Sequence, residues 1–257
     1  MFIANNVEII LKKYQLGFIR DEDLYLHTRD TVEKYKSQMN LKEFKKNIID
    51  PIKLTFDSRV YNKTIEDLIE GEVIRQIDKA NTNHIGYFHQ NIFNYISNDW
   101  HVPKNGFDII NTNKKYYVEM KNKHNTMNSS AAQKTYMRMQ NKIINEPSAI
   151  CMLVEVIAKK SQNIKWDISL DGRSVSNTNI RRLSIDKFYE LVTGDRIAFK
   201  RLCEKLPIVI DDIIKDSAQL IVSNTVFEEL QRISPRILKS LYLLSFEKYE
   251  GFGDFNV

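Results

Sequence analysis

The spacing of hydrophobic residues changes along the chain. From residue 5 to about residue 98, apolar residues recur every three or four positions, the period of an amphipathic helix. The clearest case is TIEDLIEGEVIRQIDKA, where Thr64 and Asp67 also form an N-cap pattern. Its apolar face comprises Ile65, Leu68, Ile69, Val73, Ile74 and Ile77. This region is therefore predicted to be mostly helical, beginning with a helix over NNVEIILKKYQLGF, residues 5–18.

Shorter apolar runs follow. FDII and KKYYVEM are separated by the polar segment NTNK, which predicts a β-hairpin. The run AICMLVEVIA is almost continuously apolar, which is typical of a strand covered on both faces, and IKWDISL and IRRLSI predict further strands. Between the hairpin and AICMLVEVIA, the segment AAQKTYMRMQNKII predicts a helix that ends at Pro147. Its candidate N-caps are Asn128, Ser129 and Ser130.

The remainder of the chain returns to a helical pattern. A helix is expected to begin at Ser184 or Asp186 and to end at Gly194, because glycine readily adopts the left-handed conformation that closes many helices. Beyond residue 196, short helices are expected, broken by Pro207 and Pro235.

The composition supports a helix-rich fold. Of 257 residues only 8 are glycine and 5 are proline, which leaves few turn formers. The order of elements predicts a single domain with an α/β core inside a helical shell. We expect a helical N-terminal part (1–80), a core (81–195) and a helical C-terminal part (196–257), with no linker between them.

Charge and cysteine content narrow the setting. The 38 basic and 33 acidic residues give a net charge of +5, which permits nucleic-acid binding and equally suits a basic protein without such a partner. Cys151 and Cys203 lack metal-ligand spacing and predict two buried thiols in a reducing cytosol. No basic leader or long apolar run is present, so neither a signal peptide nor a membrane span is predicted. The sequence contains no glycine-rich phosphate-binding loop, so no ATP dependence is predicted.

The predicted hairpin carries the candidate chemistry. Residues two apart on a strand share a face, so Glu119 and Lys121 should project together while Val118 and Met120 face the opposite side. The turn should bring Asp108 beside them. Two carboxylates at one point favour a hard cation such as Mg²⁺, and a neighbouring lysine can orient or deprotonate a water molecule. The set predicts metal-assisted phosphodiester hydrolysis, with a surface charge pair as the alternative.

These segments resemble a known active-site pattern. FDII with YVEMK resembles the hairpin of the PD-(D/E)xK nuclease superfamily. The longer run VEMKNKHNTMNSSAAQKTYMRMQ is similar to one branch, the type II restriction endonucleases that cut GGNCC-like or GGWCC-like sites. NHIGYFHQNIF and FYELVTGDRIAFKRLCEKLP are similar to that branch too, so the resemblance spans roughly residues 80–215. One departure is Phe107, where the superfamily has a proline that supplies no ligand.

The resemblance implies an α/β restriction-endonuclease-like fold, with a central mixed β-sheet flanked by helices. It also implies a homodimer that makes Mg²⁺-dependent double-strand breaks in a short palindrome. Asp108, Glu119 and the backbone carbonyl of Met120 would bind Mg²⁺, and Lys121 would assist the water. A cognate DNA methyltransferase would act on the same site, in a bacterial cytoplasm. An upstream residue that completes the site is left open among four candidates, namely Glu66, Glu70, Glu72 and Gln90.

Candidate DNA contacts surround the hairpin. Lys123, His124 and Asn125 leave the strand and either touch DNA or form a solvated loop. Ser129 and Ser130 either hold a phosphate at a helix N-terminus or only cap the helix.

Further basic residues are more ambiguous. Three arginines in or beside the later strands could read guanine, namely Arg173, Arg181 and Arg182. The helix predicted after the hairpin has a polar face that either contacts DNA or is solvated. This face comprises Lys134, Arg138, Asn141 and Lys142. His84, His89 and His101 do not have metal-ligand spacing, and His89 is expected in the core because it lies close to the apolar face of its helix.

Two other functions fit the same residues. A repair or junction-resolving nuclease would keep the fold and the chemistry. A non-catalytic DNA-binding protein would retain Glu119 and Lys121 for structure alone.

Overall fold

The computed structural model describes residues 14–47, 49–170, 172–215 and 222–246. These residues form two compact units. Unit 1 contains the described part of residues 1–33 and 85–217, and unit 2 contains the described part of 34–84 and 218–257. The organisation as one domain stays a prediction, which a single cooperative unfolding transition would support.

The elements of the described residues are numbered in chain order. They are α1 (Asp21–Glu33), β1 (Gln38–Met39), α2 (Leu41–Phe44), α3 (Pro51–Tyr61), α4 (Ile65–Asn91), α5 (Phe93–Ile96), β2 (Trp100–His101), β3 (Ile109–Asn111), β4 (Tyr116–Lys123), α6 (Ser129–Asn145), β5 (Ile150–Ile157), β6 (Asn163–Leu170), β7 (Arg173–Ser184), α7 (Ile185–Thr193), α8 (Ala198–Lys215), β8 (Ser223–Asn224), α9 (Val226–Ile233) and α10 (Ile237–Phe246).

Unit 1 is built on a six-stranded mixed sheet with the order β2-β3-β4-β5-β7-β6. The central strands β4, β5 and β7 run parallel, and β2, β3 and β6 pair antiparallel with their neighbours. The predicted mixed sheet flanked by helices is confirmed. The continuous apolar run of β5 follows from its central place, since residues 151–155 are all buried.

Each face of this sheet has its own core. Val118, Met152 and Leu183 pack with residues of α1, α7 and α8 on one face. Leu153 and Ile180 pack with Tyr136 of α6 on the other. Strand residues alternate between the two clusters because successive side chains point to opposite faces.

The predicted hairpin is confirmed. Ile109 pairs with Val118, and Asn111, the first residue of NTNK, pairs with Tyr116, so the turn comprises residues 112–115. Lys115 has a φ of 56°, and the Asn111 side chain accepts a hydrogen bond from the Lys114 amide at 2.9 Å. The turn is therefore closed by local contacts.

The helix after the hairpin also forms as expected. Asn128 is the N-cap of α6, because its side-chain oxygen accepts a hydrogen bond from the Ala131 amide at 2.9 Å. The helix ends at Asn145, two residues before Pro147. Tyr136 and Met139 form its buried face.

The C-terminal part of unit 1 corrects two predictions. Gly194, with a φ of 76°, ends α7 as expected. However, α8 runs through Pro207 instead of breaking there. Pro207 lies on the exposed side, while Leu202 and Val209 pack in the core and hold the helix together. Cys203 is exposed on α8, so its predicted burial was wrong, whereas the predicted burial of Cys151 is confirmed.

The first predicted helix is also not borne out where the structure describes it. Residues 5–13 lie outside the described residues, and residues 14–18 are not helical. Gln15 and Gly17 have positive φ values, which a right-handed helix does not accommodate. Tyr14 and Leu16 are nevertheless buried in the core of unit 1.

Unit 2 is predominantly helical. Its core joins residues of α2, α3, α4, α9 and α10, including Phe44, Ile69 and Leu230. The predicted cap of α4 is confirmed, because Thr64 Oγ1 accepts from the Asp67 amide at 3.1 Å. Pro235 separates α9 from α10 as predicted.

Residues 65–84 of α4 count with unit 2 and residues 85–91 with unit 1. None of the described helices combines the length and apolar character needed to cross a bilayer.

Candidate active site

The hairpin brings Asp108, Glu119 and Lys121 together. The Asp108 amide donates to the Val118 carbonyl at 2.9 Å, and the Met120 amide donates to Asp108 Oδ2 at 2.7 Å. Lys121 Nζ donates to Glu119 Oε1 at 2.8 Å. Asp108 is thus held directly before the first residue of β3, beside the strand that carries the other two groups.

The strand alternation places these groups on one face. Val118 and Met120 are buried in the core of one sheet face, at 0% and 4% exposure. Glu119 and Lys121 project from the opposite face, which α6 covers. The Met120 carbonyl faces the side of Asp108, because the N–H and C=O of a strand residue point to the same neighbour.

An arginine of α6 completes the charged cluster. Arg138 Nη2 forms an ion pair with Glu119 Oε2, and its Nη1 donates to the Gly106 carbonyl at 3.3 Å. Its guanidinium carbon lies 4.9 Å from the centre of the Phe107 ring. Arg138 therefore contacts Glu119 on β4 and the segment directly before Asp108.

Burial and charge raise the pKa of Asp108. Removal from water is the larger cause and the negative charge of Glu119 the next, while the Met120 amide, Lys121 and Arg138 act in the opposite direction. The two carboxylates are therefore close enough to repel each other. A hard divalent cation between them would relieve that repulsion, so this donor set fits Mg²⁺.

A buried ion pair between a carboxylate and an arginine lies on the neighbouring strands. Glu155 stands opposite Lys121 in the β4–β5 register and is 1% exposed. Arg182 of β7 donates from Nε to Glu155 Oε2 at 3.0 Å. Sequence reasoning missed Glu155, although a lone glutamate within AICMLVEVIA was a signal that it needed a buried partner.

Comparison with known proteins settles the family. The model of the Eco47II restriction endonuclease family matches residues 16–215. The chain belongs to the Eco47II restriction endonuclease family. It is 34% identical over 214 residues to the type II restriction enzyme Sau96I of Staphylococcus aureus, covering 78% of this chain and 81% of that protein. It is 30% identical over 213 residues to the type II restriction enzyme Eco47II of Escherichia coli, covering 78% and 89%.

Membership of the Eco47II family confirms the resemblance read from the hairpin and the run that follows it. The enzyme class is type II restriction endonuclease, a site-specific deoxyribonuclease, and the substrate is double-stranded DNA. The matched range contains the whole cluster of Asp108, Glu119, Lys121 and Arg138.

The loop after β4 of this family member is anchored to the sheet. The His124 amide donates to the Ile157 carbonyl at 3.1 Å, and Arg182 Nη2 donates to the His124 carbonyl at 3.3 Å. His124 Nδ1 is buried and has no hydrogen-bond partner among the described residues. Lys123 and Asn125 are exposed. Main-chain contacts therefore fix the loop and leave two polar side chains facing water.

The serines at the start of α6 are not its caps. Asn128 fills that role, and Ser129 and Ser130 occupy the first two helical positions, where both are exposed. Early amide groups of a helix favour anions, so the first turn remains a candidate phosphate contact.

The three candidate arginines fall in different places. Arg182 is in register with Leu153, which is in register with Glu119, so Arg182 lies on the face of the site. Arg181 projects from the opposite face, where its Nε donates to Asn163 Oδ1 at 3.0 Å. Arg173 is exposed at the start of β7. The structure thus brings only Arg182 to the active-site face.

The polar face of α6 is only partly solvated. Lys142 Nζ lies 4.1 Å from the centre of the Tyr117 ring and 3.0 Å from Glu146 Oε2. Lys134 and Asn141 are exposed.

The upstream residue stays open. Glu66, Glu70 and Glu72 belong to unit 2, and Gln90 belongs to unit 1, where it is half-buried. Glu72 is paired with Arg75. No group of three or more His, Cys, Asp or Glu residues suited to a metal occurs in the described part of the chain.

His89 is half-buried in unit 1, beside the core residue Phe88, whose ring centre lies 5.6 Å from that of His89. The expected burial is therefore only partial. The pKa of His89 is lowered to about 4. Burial is the larger cause, and the positive charge of the neighbouring His27 is the smaller one. Its Nδ1 has no hydrogen-bond partner among the described residues.

Proposed function

We propose that this enzyme is a homodimeric, Mg²⁺-dependent restriction endonuclease that cuts GGNCC or GGWCC. The observation that carries the proposal is the hairpin geometry: Lys121 Nζ lies 2.8 Å from Glu119 Oε1, and the Met120 amide holds Asp108 beside them. Family membership supports the reaction class. The metal, the dimer and the site are the proposed refinements.

Asp108, Glu119 and the Met120 carbonyl would hold the Mg²⁺. The raised pKa of Asp108 supports this assignment, because burial and the adjacent Glu119 charge disfavour two uncompensated carboxylates. When bound, Mg²⁺ supplies a Lewis acid that polarises the phosphate and favours ionisation of water.

Lys121 is the group proposed to handle the water. Its ammonium already points to Glu119 and is 30% exposed, so solvent reaches it. In its charged form it orients a water for in-line attack on phosphorus and offsets the negative charge that develops there. The products would be 5′-phosphate and 3′-hydroxyl ends.

DNA contacts are proposed around the same edge. Lys123, His124 and Asn125 leave β4 directly after the catalytic residues, and Ser129 with Ser130 offers hydroxyl and amide donors. Arginines can bond guanine O6 and N7 together, so Arg173, Arg181 and Arg182 are the candidates for reading the GG half-site. Of these, Arg173 has no side-chain hydrogen bond or ion pair among the described residues.

A two-fold dimer suits a palindromic site, since each subunit meets an identical half-site. Each subunit would cut one strand. A cognate methyltransferase that modifies the same sequence would protect the host DNA.

The decisive test is digestion of unmethylated phage DNA with Mg²⁺, followed by sequencing of the fragment ends. Discrete bands with ends inside GGNCC or GGWCC are expected. Ends at sites without flanking GG and CC would refute the proposed GGNCC or GGWCC specificity but not the nuclease activity. Random degradation would favour a repair nuclease, and retardation without cleavage would favour a non-catalytic DNA-binding protein.

A further inference from the structure

Both oxygens of the Glu119 carboxylate are occupied by cationic donors. Lys121 Nζ donates to Oε1 at 2.8 Å, and Arg138 Nη2 donates to Oε2. Glu119 itself is 8% exposed. A divalent cation that binds Glu119 would meet both positive charges at close range, and this repulsion favours release of at least one of the two partners.

The two partners differ in their freedom to leave. Lys121 stands two residues from Glu119 on the same strand, so its ammonium remains close by. Arg138 belongs to α6, and its side chain is 41% exposed. Its second contact, to the Gly106 carbonyl, and its position over the Phe107 ring would keep the side chain near Asp108 after it released Glu119. Arg138 is thus the cation that can move without leaving the site.

The local charge balance gives a reason for the movement. Asp108 and Glu119 carry two negative charges, and Lys121 and Arg138 carry two positive ones, so the cluster is neutral without a metal. A divalent cation would be repelled by Arg138 as long as the guanidinium stays on Glu119. A DNA phosphate offers the guanidinium a strong alternative partner, because arginine binds phosphate through two parallel hydrogen bonds.

We propose that Arg138 exchanges partners during the catalytic cycle: it holds Glu119 in the metal-free enzyme and passes to a DNA phosphate when a divalent cation binds Glu119. This rests on the metal site assigned under the proposed function. Since each event favours the other, metal and DNA bind with positive coupling, and the coupling is the same in both directions. Arg138 also keeps the carboxylate oriented until DNA arrives.

The first experiment measures metal binding without DNA. Mn²⁺ is titrated into the full-length protein, and free Mn²⁺ is followed by electron paramagnetic resonance. Arg138→Ala should bind Mn²⁺ roughly fivefold more tightly than the wild type, the scale of one exposed ion pair. Arg138→Lys, which keeps a cation, should stay near the wild-type affinity.

Lys134→Ala is the matched control. Lys134 is exposed on the same helix, and this change also removes one positive charge, but without touching Glu119. Equal Mn²⁺ affinities for Arg138→Ala and Lys134→Ala would refute the proposed exchange of Arg138 partners but not the proposed metal site. Failure of Glu119→Ala to weaken Mn²⁺ binding would instead refute the metal site itself.

The second experiment measures the coupling. The dissociation constant of the protein for a duplex containing GGNCC is measured with and without Ca²⁺. The ratio of the two constants is the coupling factor. The wild type should bind DNA more tightly with Ca²⁺, and Arg138→Ala should lose at least half of that gain on a logarithmic scale. An undiminished gain in Arg138→Ala would show that the guanidinium does not pass to the phosphate.

Discussion

Arg182 donates from Nε to Glu155 Oε2 at 3.0 Å across two neighbouring parallel strands. Glu155 is 1% exposed, so its charge has no access to water and depends on this partner. The same guanidinium also donates to the carbonyl of His124, directly after β4. The pair therefore links the sheet interior to the loop proposed to contact DNA.

Removal of Arg182 should destabilise the protein. Arg182→Ala leaves Glu155 buried without a partner, and we expect a loss of roughly 3 kcal/mol in the free energy of unfolding, the lower end for a broken buried pair because Arg182 is partly exposed. Arg173→Ala, which breaks no described contact, should change it by less than about 0.5 kcal/mol. Urea denaturation measures both values.

A double replacement separates stability from recognition. Glu155→Leu with Arg182→Met removes both charges and should recover most of the lost stability. If Arg182→Ala were as stable as the wild type but discriminated poorly against altered guanines, a role in base reading would be favoured instead.

Catalysis should depend on the hairpin residues. Asp108→Ala or Glu119→Ala should abolish cleavage and leave specific binding largely intact, because these groups act on the chemistry. Lys121→Ala should lower the single-turnover rate by at least on the order of 10². Lys114→Ala, in the exposed turn of the same hairpin, is the control and should cut normally. Near wild-type cleavage by the Asp108, Glu119 or Lys121 variant would show that the active site lies elsewhere.

The metal requirement follows from the oxygen ligands. EDTA should stop cleavage, and Mg²⁺ or Mn²⁺ should restore it. Ca²⁺ should support DNA binding without turnover, because it accepts carboxylates but is larger and a weaker Lewis acid. Gel retardation and cleavage assays in each ion check this, and full activity in chelator would contradict the mechanism.

His89 should make the protein sensitive to acid. Its pKa is lowered to about 4 in the fold, below the value of about 6.5 expected when unfolded. The unfolded chain therefore binds the proton more readily, so stability falls as the pH drops from about 6.5 to about 4. The difference corresponds to roughly 3 kcal/mol at most. His89→Gln should lose this part of the pH dependence in urea denaturation between pH 7 and pH 4, and an unchanged slope would show that His89 does not cause it.

Local pattern alone determined the hairpin and the grouping of its charged side chains. The alternation in YYVEMK sets which side chains share a face, and the short NTNK turn returns the chain to Asp108, so Glu119, Lys121 and Asp108 meet through contacts close in sequence. The caps at Thr64 and Gly194 were predictable for the same reason, since each depends on a few neighbouring residues. Family resemblance, carried by the same stretch, extended this to the enzyme class.

Only the tertiary structure decided which distant groups balance those charges. Arg138 meets Glu119 across 19 positions and Arg182 meets Glu155 across 27, and both meetings depend on how α6 and the parallel strands pack. Burial also overrode local preference. Pro207 stays inside α8 because its neighbours are held in the core, whereas residues 14–18 pack there without forming a helix. Side-chain alternation is set within a strand, but packing joins elements that the sequence leaves far apart.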